Sequence, residues 1–219
     1  FIGGHVPNVS AEDPKLEIGR RLFARHCEFQ TSAVGPDSVP EETLPEIAFA
    51  GRSNAGKSSL INALAGQRGL ARASNQPGRT QMINFFEYPG DLRLVDLPGY
   101  GFAKAPRATA DAWNRLVHGF LRNRGIVRRV VLLIDARRGL MARDRKMMAD
   151  LEEMAIVYQV VLTKTDTLAA SKVPLLVDAM VQEISQHAAA FPLVLATSAR
   201  RALGIAELRA SLAELAAQT

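Results

Sequence analysis

The residues with the strongest chemical signature form the stretch GRSNAGKS, residues 51–58. The apolar run EIAFAG precedes this stretch and the helical pattern KSSLINALAG continues from it, so a strand leads into it and a helix leads out. In this context G-x-x-x-x-G-K-S predicts a phosphate-binding loop, whose backbone N–H groups surround phosphate oxygens. We expect Lys57 to neutralise charge on the β- and γ-phosphates and the Ser58 hydroxyl to bind Mg²⁺. A glycine-rich turn without a ligand is the alternative, and it does not explain the matched context.

A carboxylate ends a second apolar run, in the stretch RLVDLPGYGFAK. The run stops at Asp96, and Pro98, Gly99 and Gly101 prevent the chain from continuing as a strand or a helix. In phosphate-loop enzymes, an aspartate at this strand end holds Mg²⁺, usually through water, and the N–H of the nearby glycine binds the γ-phosphate. The sequence therefore predicts that Asp96 serves the metal and that Gly99 contacts the γ-phosphate.

The polar, turn-rich stretch SNQPGRTQ, residues 74–81, contains a second candidate metal ligand. Thr80 comes just before a predicted strand, and its hydroxyl could bind Mg²⁺ only while the γ-phosphate holds the loop. An ordinary threonine at a strand start is the alternative. We expect two loops, 74–82 and 97–107, to become ordered around the γ-phosphate and to relax after hydrolysis.

The stretch LTKTD indicates which base the nucleotide carries. The Asp166 carboxylate can accept hydrogen bonds from N1–H and the exocyclic amine of guanine, a donor pair that adenine lacks, so it would oppose ATP binding. Lys164 would lay its aliphatic stem along the base. The backbone N–H groups of Ser198 and Ala199, in the stretch TSA, could reach the guanine carbonyl. An exposed loop aspartate is the alternative for Asp166 alone; the two stretches together predict a GTP site.

Alternating strand and helix patterns must position these residues. Continuous apolar runs at 128–136, 155–164 and 191–199 are typical of parallel strands that are buried on both faces. INFFEY and LRLVD flank Pro-Gly-Asp, which predicts an antiparallel hairpin. Helical patterns lie between the later runs, at roughly 107–123, 141–154, 172–189 and 204–217. These elements predict a three-layer α/β fold, in which helices cover both faces of a mostly parallel six-stranded sheet with one antiparallel edge strand.

The length and cysteine content limit the class of protein further. A chain of 219 residues suits one large domain or one domain with a tail. We expect an N-terminal extension over residues 1–39, partly helical or flexible, and a GTP-binding domain over residues 40–219. Because the first residues lack the apolar region of a signal peptide, no apolar run could span a membrane and Cys27 is the single cysteine, we expect a cytoplasmic protein without a membrane span.

The net charge of +5 is unevenly distributed. Between Arg115 and Lys146, ten lysines and arginines face only two acids. This basic block can supply phosphate contacts to a nucleic acid, and the alternative is a solvated basic face on two helices. The ten cations are Arg115, Arg122, Arg124, Arg128, Arg129, Arg137, Arg138, Arg143, Arg145 and Lys146.

Five motifs, in this order and spacing, resemble those of the EngB (YihA/YsxC) family of Era-like bacterial GTPases: GRSNAGKSSLINAL, PGRTQ with INFF, LVDLPGYGFA, LTKTD and TSA. The resemblance covers roughly residues 40–217 and implies a P-loop GTPase fold, GTP and GDP as ligands, and Mg²⁺ as cofactor. It also implies a role in assembly of the large ribosomal subunit, with a requirement in cell division and septation. Two features depart from the family pattern: Thr165 stands where relatives commonly carry alanine, and the segment 1–38 is longer than the family needs.

The resemblance implies roles for individual residues. Catalytic roles are implied for Asn54, Lys57, Thr80 and Gly99, and metal binding for Ser58, Thr80 and, through water, Asp96. Nucleotide contacts are implied for Gly51, Arg52, Ser53, Asn54, Ala55, Gly56, Lys57, Ser58, Gly78, Arg79, Thr80, Asp96, Leu97, Pro98, Gly99, Thr163, Lys164, Thr165, Asp166, Thr197, Ser198 and Ala199.

Tyr100 occupies a position that in many GTPases carries a glutamine, which orients the attacking water. A phenol has no amide and is too bulky to copy that geometry, so we expect slow intrinsic hydrolysis. Some Era-like GTPases use a potassium ion near the phosphates, held by a loop asparagine, and Asn54 is at the matching position. Asn54 either holds K⁺ in this way or only bonds the loop backbone.

Two functions from different classes fit these residues. The first is a monomeric switch that hydrolyses GTP to GDP and phosphate and docks on rRNA of the large ribosomal subunit in one nucleotide state. The alternative is a nucleotide-gated rRNA clamp whose hydrolysis is incidental. A small-molecule kinase ranks third, because it would leave Asp166 and residues 197–199 without a role.

Overall fold

The structure is a computed structural model that describes residues 13–71, 82–101 and 107–216. In these ranges the helices are α1 (Pro14–Phe23), α2 (Lys57–Ala65), α3 (Arg107–Arg122), α4 (Ala142–Glu153), α5 (Lys172–Ile184) and α6 (Ile205–Ala216). The strands are β1 (Glu28–Ala33), β2 (Glu46–Gly51), β3 (Ile83–Tyr88), β4 (Leu92–Asp96), β5 (Val127–Asp135), β6 (Tyr158–Thr163) and β7 (Leu195–Ala196). None of the described helices is long and apolar enough to cross a membrane.

The strands form one sheet in the order β1-β3-β4-β2-β5-β6-β7, which confirms the predicted α/β fold. Strands β4, β2, β5, β6 and β7 pair in parallel, and β3 runs antiparallel to both of its neighbours. The sheet has seven strands rather than the expected six, because β1 adds to the outside of β3. The antiparallel strand is therefore not at the edge. Residues 28–33 are polar and largely exposed, so no hydrophobic pattern identifies them as a strand.

Two hydrophobic cores lie on the two faces of the sheet. Along β2, Ala48 and Ala50 face the core that α3, α4 and α5 cover, whereas Ile47 and Phe49 face the core that α1, α2 and α6 cover. All six residues of β2 are buried. This double burial explains the continuous apolar runs of β2, β5 and β6. The prediction of a strand buried on both faces is wrong for the run at 191–199, because only Leu195–Ala196 form a strand there and both residues are partly exposed.

Helix α1 packs directly against α6. Asp13 caps its first turn by accepting a hydrogen bond from Lys15 N (2.9 Å), and Phe23 packs edge-on against Tyr88 of β3. Gly19 allows the close approach, because a Cβ atom at this position would lie 2.6 Å from the backbone N of Ala210. Helix α1 lies within the segment 1–39, which the sequence predicts to be partly helical or flexible. The domain boundary between residues 39 and 40 stays a prediction.

Two arginines of the basic block belong to the interior. Arg124 donates to the fully buried carboxylate of Glu46 (Nη2–Oε1, 2.6 Å), which Arg93 also contacts (Nη1–Oε1, 2.9 Å). Arg129 donates to the side chains of Gln159 and Ser211 (3.1 Å each), and burial lowers its pKa. The expectation that the whole block faces a nucleic acid is therefore wrong for Arg124 and Arg129. A charge count along the sequence carries no information about burial.

The α1–α6 contact predicts that Gly19→Ala destabilises the protein. The new methyl group must push the backbones of the two helices apart, and we expect the free energy of unfolding to fall by about 1–3 kcal/mol. Gly119→Ala on α3 is the matched control, because no described atom lies within 4 Å of its Cβ position. This control should raise stability by up to about 1 kcal/mol through helix propensity. Urea unfolding of both variants measures the difference; equal shifts would contradict the close contact.

Candidate nucleotide-binding site

The predicted site residues gather at one edge of the sheet. Parallel strands share the direction of their carboxyl ends, so the loops that follow β2, β4, β6 and β7 leave the sheet on the same side. In the register, Phe49 pairs with Asp96, Gly51 with Leu133 and Asp135 with Thr163. Motifs that are far apart in sequence, from residues 51–58 to residues 197–199, thereby become neighbours.

The loop between β2 and α2 meets the carboxylate at the end of β4. The Lys57 ammonium group forms an ion pair with Asp96 Oδ1, and both side chains are largely buried, at 13% and 6% exposure. Helix α2 begins at Lys57, so Ser58 lies in its first turn, where backbone N–H groups have no partner within the helix. The structure thus brings together three of the residues for which the sequence predicts contacts with phosphate and metal: Lys57, Ser58 and Asp96.

Residues 97–100, which we call the sensor segment, run beside the phosphate-binding loop. Tyr100 N donates to Gly51 O (3.2 Å), and Ser53 N donates to Tyr100 O (2.9 Å). Gly99 lies against the loop so closely that a Cβ atom there would be 3.2 Å from Ser53 Cα. The N–H of Gly99 donates to no acceptor among the described residues. The predicted γ-phosphate contact therefore has its donor beside the predicted phosphate loop.

The Tyr100 side chain points into the layer formed by α3 and α4. It is 7% exposed, its hydroxyl donates to Asp144 Oδ1 (2.8 Å), and its ring packs edge-on against Trp113 with centroids 5.8 Å apart. Burial raises the pKa of Tyr100, and the neighbouring Asp144 carboxylate raises it further. The phenol is therefore held by α4 and has no amide to orient a water molecule. Slow intrinsic hydrolysis stays a prediction.

A cavity of about 240 Å³ joins the phosphate-binding loop to the two loops predicted to contact the base. Its lining contains six residues that the motifs identify: Gly56, Thr163, Lys164, Asp166, Thr197 and Ala199. It also contains four residues that sequence reasoning missed: Ser59, Leu60, Thr167 and Arg200. Ser59 and Leu60 belong to an ordinary amphipathic helix, and Thr167 and Arg200 lie just beyond the two base motifs, so only the fold indicates their place.

Hydrogen bonds tie the loop after β6 to the loop after β7. Ser198 Oγ donates to Asp166 Oδ1 (2.7 Å), and Ser198 Oγ accepts from Arg201 N (3.1 Å). Thr165 Oγ1 donates to Thr197 O (3.0 Å). Alanine could not form this last bond, so the threonine that departs from the family pattern contributes to holding the two loops together. Asp166 is thereby fixed in orientation at the cavity wall.

Lys164 connects the base loop to the phosphate-binding loop. Its ammonium group donates to the carbonyl oxygen of Asn54 and to Asp135 Oδ2 (2.8 Å for the latter). Burial would raise the pKa of Asp135, but hydrogen bonds from Arg137 and Lys164 hold it well below its usual range. Thr163 Oγ1 adds a bond to Ala55 O (2.6 Å). Asp135 is a positioning residue that the motifs do not indicate.

Some predicted residues lie outside the described part of the chain. These residues are Gly78, Arg79 and Thr80. Most of the loop 74–82 and the second half of the loop 97–107 fall in the same gaps, so the expected ordering of these loops stays a prediction.

The remaining cations of the basic block fall into two groups. Four form ion pairs: Arg122 with Glu153, Arg137 with Asp135, Arg145 with Glu183 and Lys146 with Asp150. The other four are exposed and have no acidic partner among the described residues: Arg115, Arg128, Arg138 and Arg143. Within the basic block, these four are the cations whose positive charge no described acid compensates.

A phosphate-binding loop at the centre of a mostly parallel sheet, with a base cavity closed by the loops after its last two strands, defines the class of P-loop GTPases. Comparison with known proteins agrees. Residues 46–164 match the family model described as 50S ribosome-binding GTPase. The probable GTP-binding protein EngB of Bradyrhizobium diazoefficiens is 51% identical over 93% of this chain and 95% of its own, and that of Rhodospirillum rubrum is 50% identical over 92% and 89%. The chain belongs to the EngB family of GTP-binding proteins, and it is a GTPase.

Solved structures agree with this assignment. A probable GTP-binding protein EngB superposes with a TM-score of 0.62 at 25% identity, covering 80% of this chain and all of its own. Era in complex with MgGDPNP and a segment of 16S ribosomal RNA has a TM-score of 0.60 at 20% identity, over 82% of this chain and 59% of its own, and shares the fold.

The geometry of Asp166 predicts a change in base preference. In Asp166→Asn, Oδ1 can still accept from Ser198, but the new amide donates where guanine also donates. We expect GTP affinity to fall about 10- to 100-fold, and xanthosine triphosphate, which presents an oxygen at that position, to bind better than GTP. Asp178→Asn, an exposed aspartate on α5, is the control and should change neither affinity. Calorimetric titration with both nucleotides tests this; unchanged GTP affinity would show that Asp166 does not contact the base.

Proposed function

We propose that this GTPase binds Mg²⁺ and GTP at the sheet edge described above and acts in the cytoplasm, as a monomer, in the assembly of the large ribosomal subunit. A requirement in cell division and septation would follow from that role. The observation that supports the nucleotide site best is the cavity lined jointly by the phosphate-binding loop and both base loops. The description of the matched family as ribosome-binding supports the choice of partner.

The residues present suit Mg²⁺. Hydroxyl and carboxylate oxygens are the ligands that this ion prefers, and Ser58 and Asp96 supply one of each beside Lys57. When bound, Mg²⁺ neutralises charge on the β- and γ-phosphate oxygens. On nucleotide binding, Lys57 would exchange the Asp96 carboxylate for phosphate oxygens, and Asp96 would then be available to hold Mg²⁺ through water. Thr80, which lies outside the described residues, is the second proposed hydroxyl ligand of Mg²⁺, on the basis of the sequence alone.

The same chain supplies the groups that contact the phosphates and the base. The N–H groups of Gly56 and Gly99 donate to no described acceptor and are available to phosphate oxygens. The Asp166 carboxylate accepts from the guanine edge, and Lys164 packs along the base. Backbone donors that are already oriented stabilise developing charge without reorganisation, so hydrolysis depends on how well the sensor segment is held.

Asn54 is the candidate ligand for K⁺. Its side chain is exposed and forms no hydrogen bond with any described residue, whereas its carbonyl oxygen accepts from Lys164. The amide oxygen is therefore available to a monovalent cation beside the phosphates. Such a cation would neutralise the charge that develops between the β- and γ-phosphates.

The four uncompensated arginines are the proposed contacts to rRNA. Exposed cations without acidic partners can replace the counterions of nucleic-acid phosphates, whereas ion-paired or buried ones would first lose their protein partners. The alternative is a nucleotide-gated rRNA clamp with incidental hydrolysis. It is supported by the hydrogen bond from Tyr100 to Asp144, because the side chain at position 100 is then not available to position a water molecule. Single-turnover hydrolysis with and without large subunits distinguishes the two, because a switch must hydrolyse GTP faster when its partner is present.

Reversing one uncompensated charge should weaken binding to large subunits and reduce its salt dependence. We expect Arg138→Glu and, in a separate protein, Arg115→Glu each to make the plot of log K for subunit binding against log[salt] less steep by about 1, with GTP affinity unchanged. Arg122→Glu is the control, because Arg122 already pairs with Glu153. Co-sedimentation over a range of KCl concentrations measures the slopes. Slopes equal to that of the wild type in both variants would mean that these arginines only form a solvated face.

The proposed cation site predicts a dependence on K⁺. We expect GTP turnover in KCl to exceed turnover in NaCl at equal ionic strength by about 100-fold, the lower end of the effect of one charge-stabilising donor. Asn54→Ala should remove this advantage and leave GDP affinity unchanged. The assay is run with and without large subunits. If K⁺ gives no advantage to the wild type in either condition, Asn54 is not a cation ligand.

A further inference from the structure

Side chains from two helices hold the residues on both sides of Gly99. Trp113 Nε1, on α3, donates to the carbonyl oxygen of Pro98 (2.8 Å). The Tyr100 hydroxyl donates to Asp144 Oδ1 on α4 (2.8 Å). The two aromatic rings also contact each other at 73°, and each is 7% exposed. Gly99 lies between these two fixed neighbours, and its N–H donates to no acceptor in the described part of the chain.

Asp144 is a firm attachment point for Tyr100. It is 1% exposed, and its second oxygen, Oδ2, accepts from Met141 N at the start of α4 (2.9 Å). A buried carboxylate is costly unless its oxygens are hydrogen-bonded, and the N-terminus of a helix stabilises its charge. Asp144 therefore cannot turn away from Tyr100 without a loss at the helix end as well.

The backbone of Tyr100 adds two bonds to the phosphate-binding loop. Tyr100 N donates to Gly51 O, and Tyr100 O accepts from Ser53 N. One residue thus joins the loop, the sensor segment and α4. The direction of the Gly99 N–H depends on Pro98, because the carbonyl group of Pro98 and this N–H belong to one planar peptide group. Tyr100 fixes the peptide group on the other side of Gly99.

We propose that Trp113, Tyr100 and Asp144 form a clamp that orients the Gly99 N–H toward the γ-phosphate and so sets the preference for GTP over GDP. The inference rests on the proposed function, in which Gly99 contacts the γ-phosphate. A segment that is already ordered loses little conformational entropy when it binds, whereas a loose one loses more and binds more weakly. GDP has no γ-phosphate and gains nothing from the clamp. Tyr100 and Asp144 are positioning residues, because they act through Gly99.

Tyr100→Phe tests the clamp, since it removes only the hydroxyl and keeps the ring against Trp113. We expect the affinity for a non-hydrolysable GTP analogue to fall about tenfold, the value for a hydrogen bond to a charged group, while GDP affinity stays unchanged. Tyr158→Phe is the matched control. Tyr158 is a fully buried tyrosine whose hydroxyl has no hydrogen-bond partner among the described residues, so its loss should change neither affinity. Both nucleotides are titrated calorimetrically.

Two substitutions of Asp144 separate positioning from general stability. In Asp144→Asn, the amide oxygen can accept from Met141 N and the NH₂ group can donate to the Tyr100 hydroxyl, so the preference for the GTP analogue should be retained. Asp144→Ala loses both bonds, and its preference should fall to the level of Tyr100→Phe. Combining Tyr100→Phe with Asp144→Ala should cause no further loss of preference, because the two residues share one interaction.

Trp113 provides an optical readout, because it is the only tryptophan of the chain. Its emission should differ between the complexes with GDP and with the GTP analogue, and Tyr100→Phe should reduce that difference. Equal losses of affinity for both nucleotides in Tyr100→Phe, or identical wild-type emission in the two complexes, would overturn the clamp. Absence of GTP binding by the wild type would instead overturn the proposed function, so the two failures are distinguishable.

Discussion

The position of β2 at the centre of the sheet is the constraint on which the other parts of the molecule depend. Its backbone pairs with β4 on one side and β5 on the other, and its side chains enter both cores. The phosphate-binding loop begins where β2 ends, and Asp96 is placed by its pairing with Phe49. Because a parallel strand cannot shift its register without turning its side chains to the wrong faces, the ion pair of Lys57 with Asp96 follows from the packing of the core.

Hydrogen bonds between loops fix the positions of the functional residues that the sheet brings together. Lys164 connects three loops, through Asn54, Asp135 and its own loop, and Tyr100 connects the sensor segment to two more elements. The bond of Lys164 with Asp135 is partly buried and that of Tyr100 with Asp144 is buried, and an unsatisfied polar atom is costly in such places. The need to satisfy buried polar groups therefore orients the functional ones. Catalytic charge stabilisation requires the same property, donors that are in place before the charge develops.

Arginines have two different roles in this protein, one in the interior and one at the surface. Arg93 and Arg124 surround the buried carboxylate of Glu46 at the amino ends of the strands, while Arg138 and Arg143 are exposed near the carboxyl ends of β5 and the start of α4. The first two stabilise the fold, because removing either would leave the buried Glu46 carboxylate with a single cationic partner. The exposed pair adds little to stability, and its charge is available to a partner.

The sequence by itself determined the fold class, the phosphate loop, the strand-end carboxylate and the base motif, because each is encoded by a few adjacent residues with a local geometric requirement. Tertiary structure alone decided that polar β1 joins the sheet, that Arg124 and Arg129 are buried, and that Asp135 and Asp144 hold Lys164 and Tyr100. Strand β1 has no hydrophobic period and is defined by hydrogen bonds to β3, more than fifty residues later in the chain. Burial and side-chain partners across the sheet depend on long-range packing, which a local pattern of residue types does not predict.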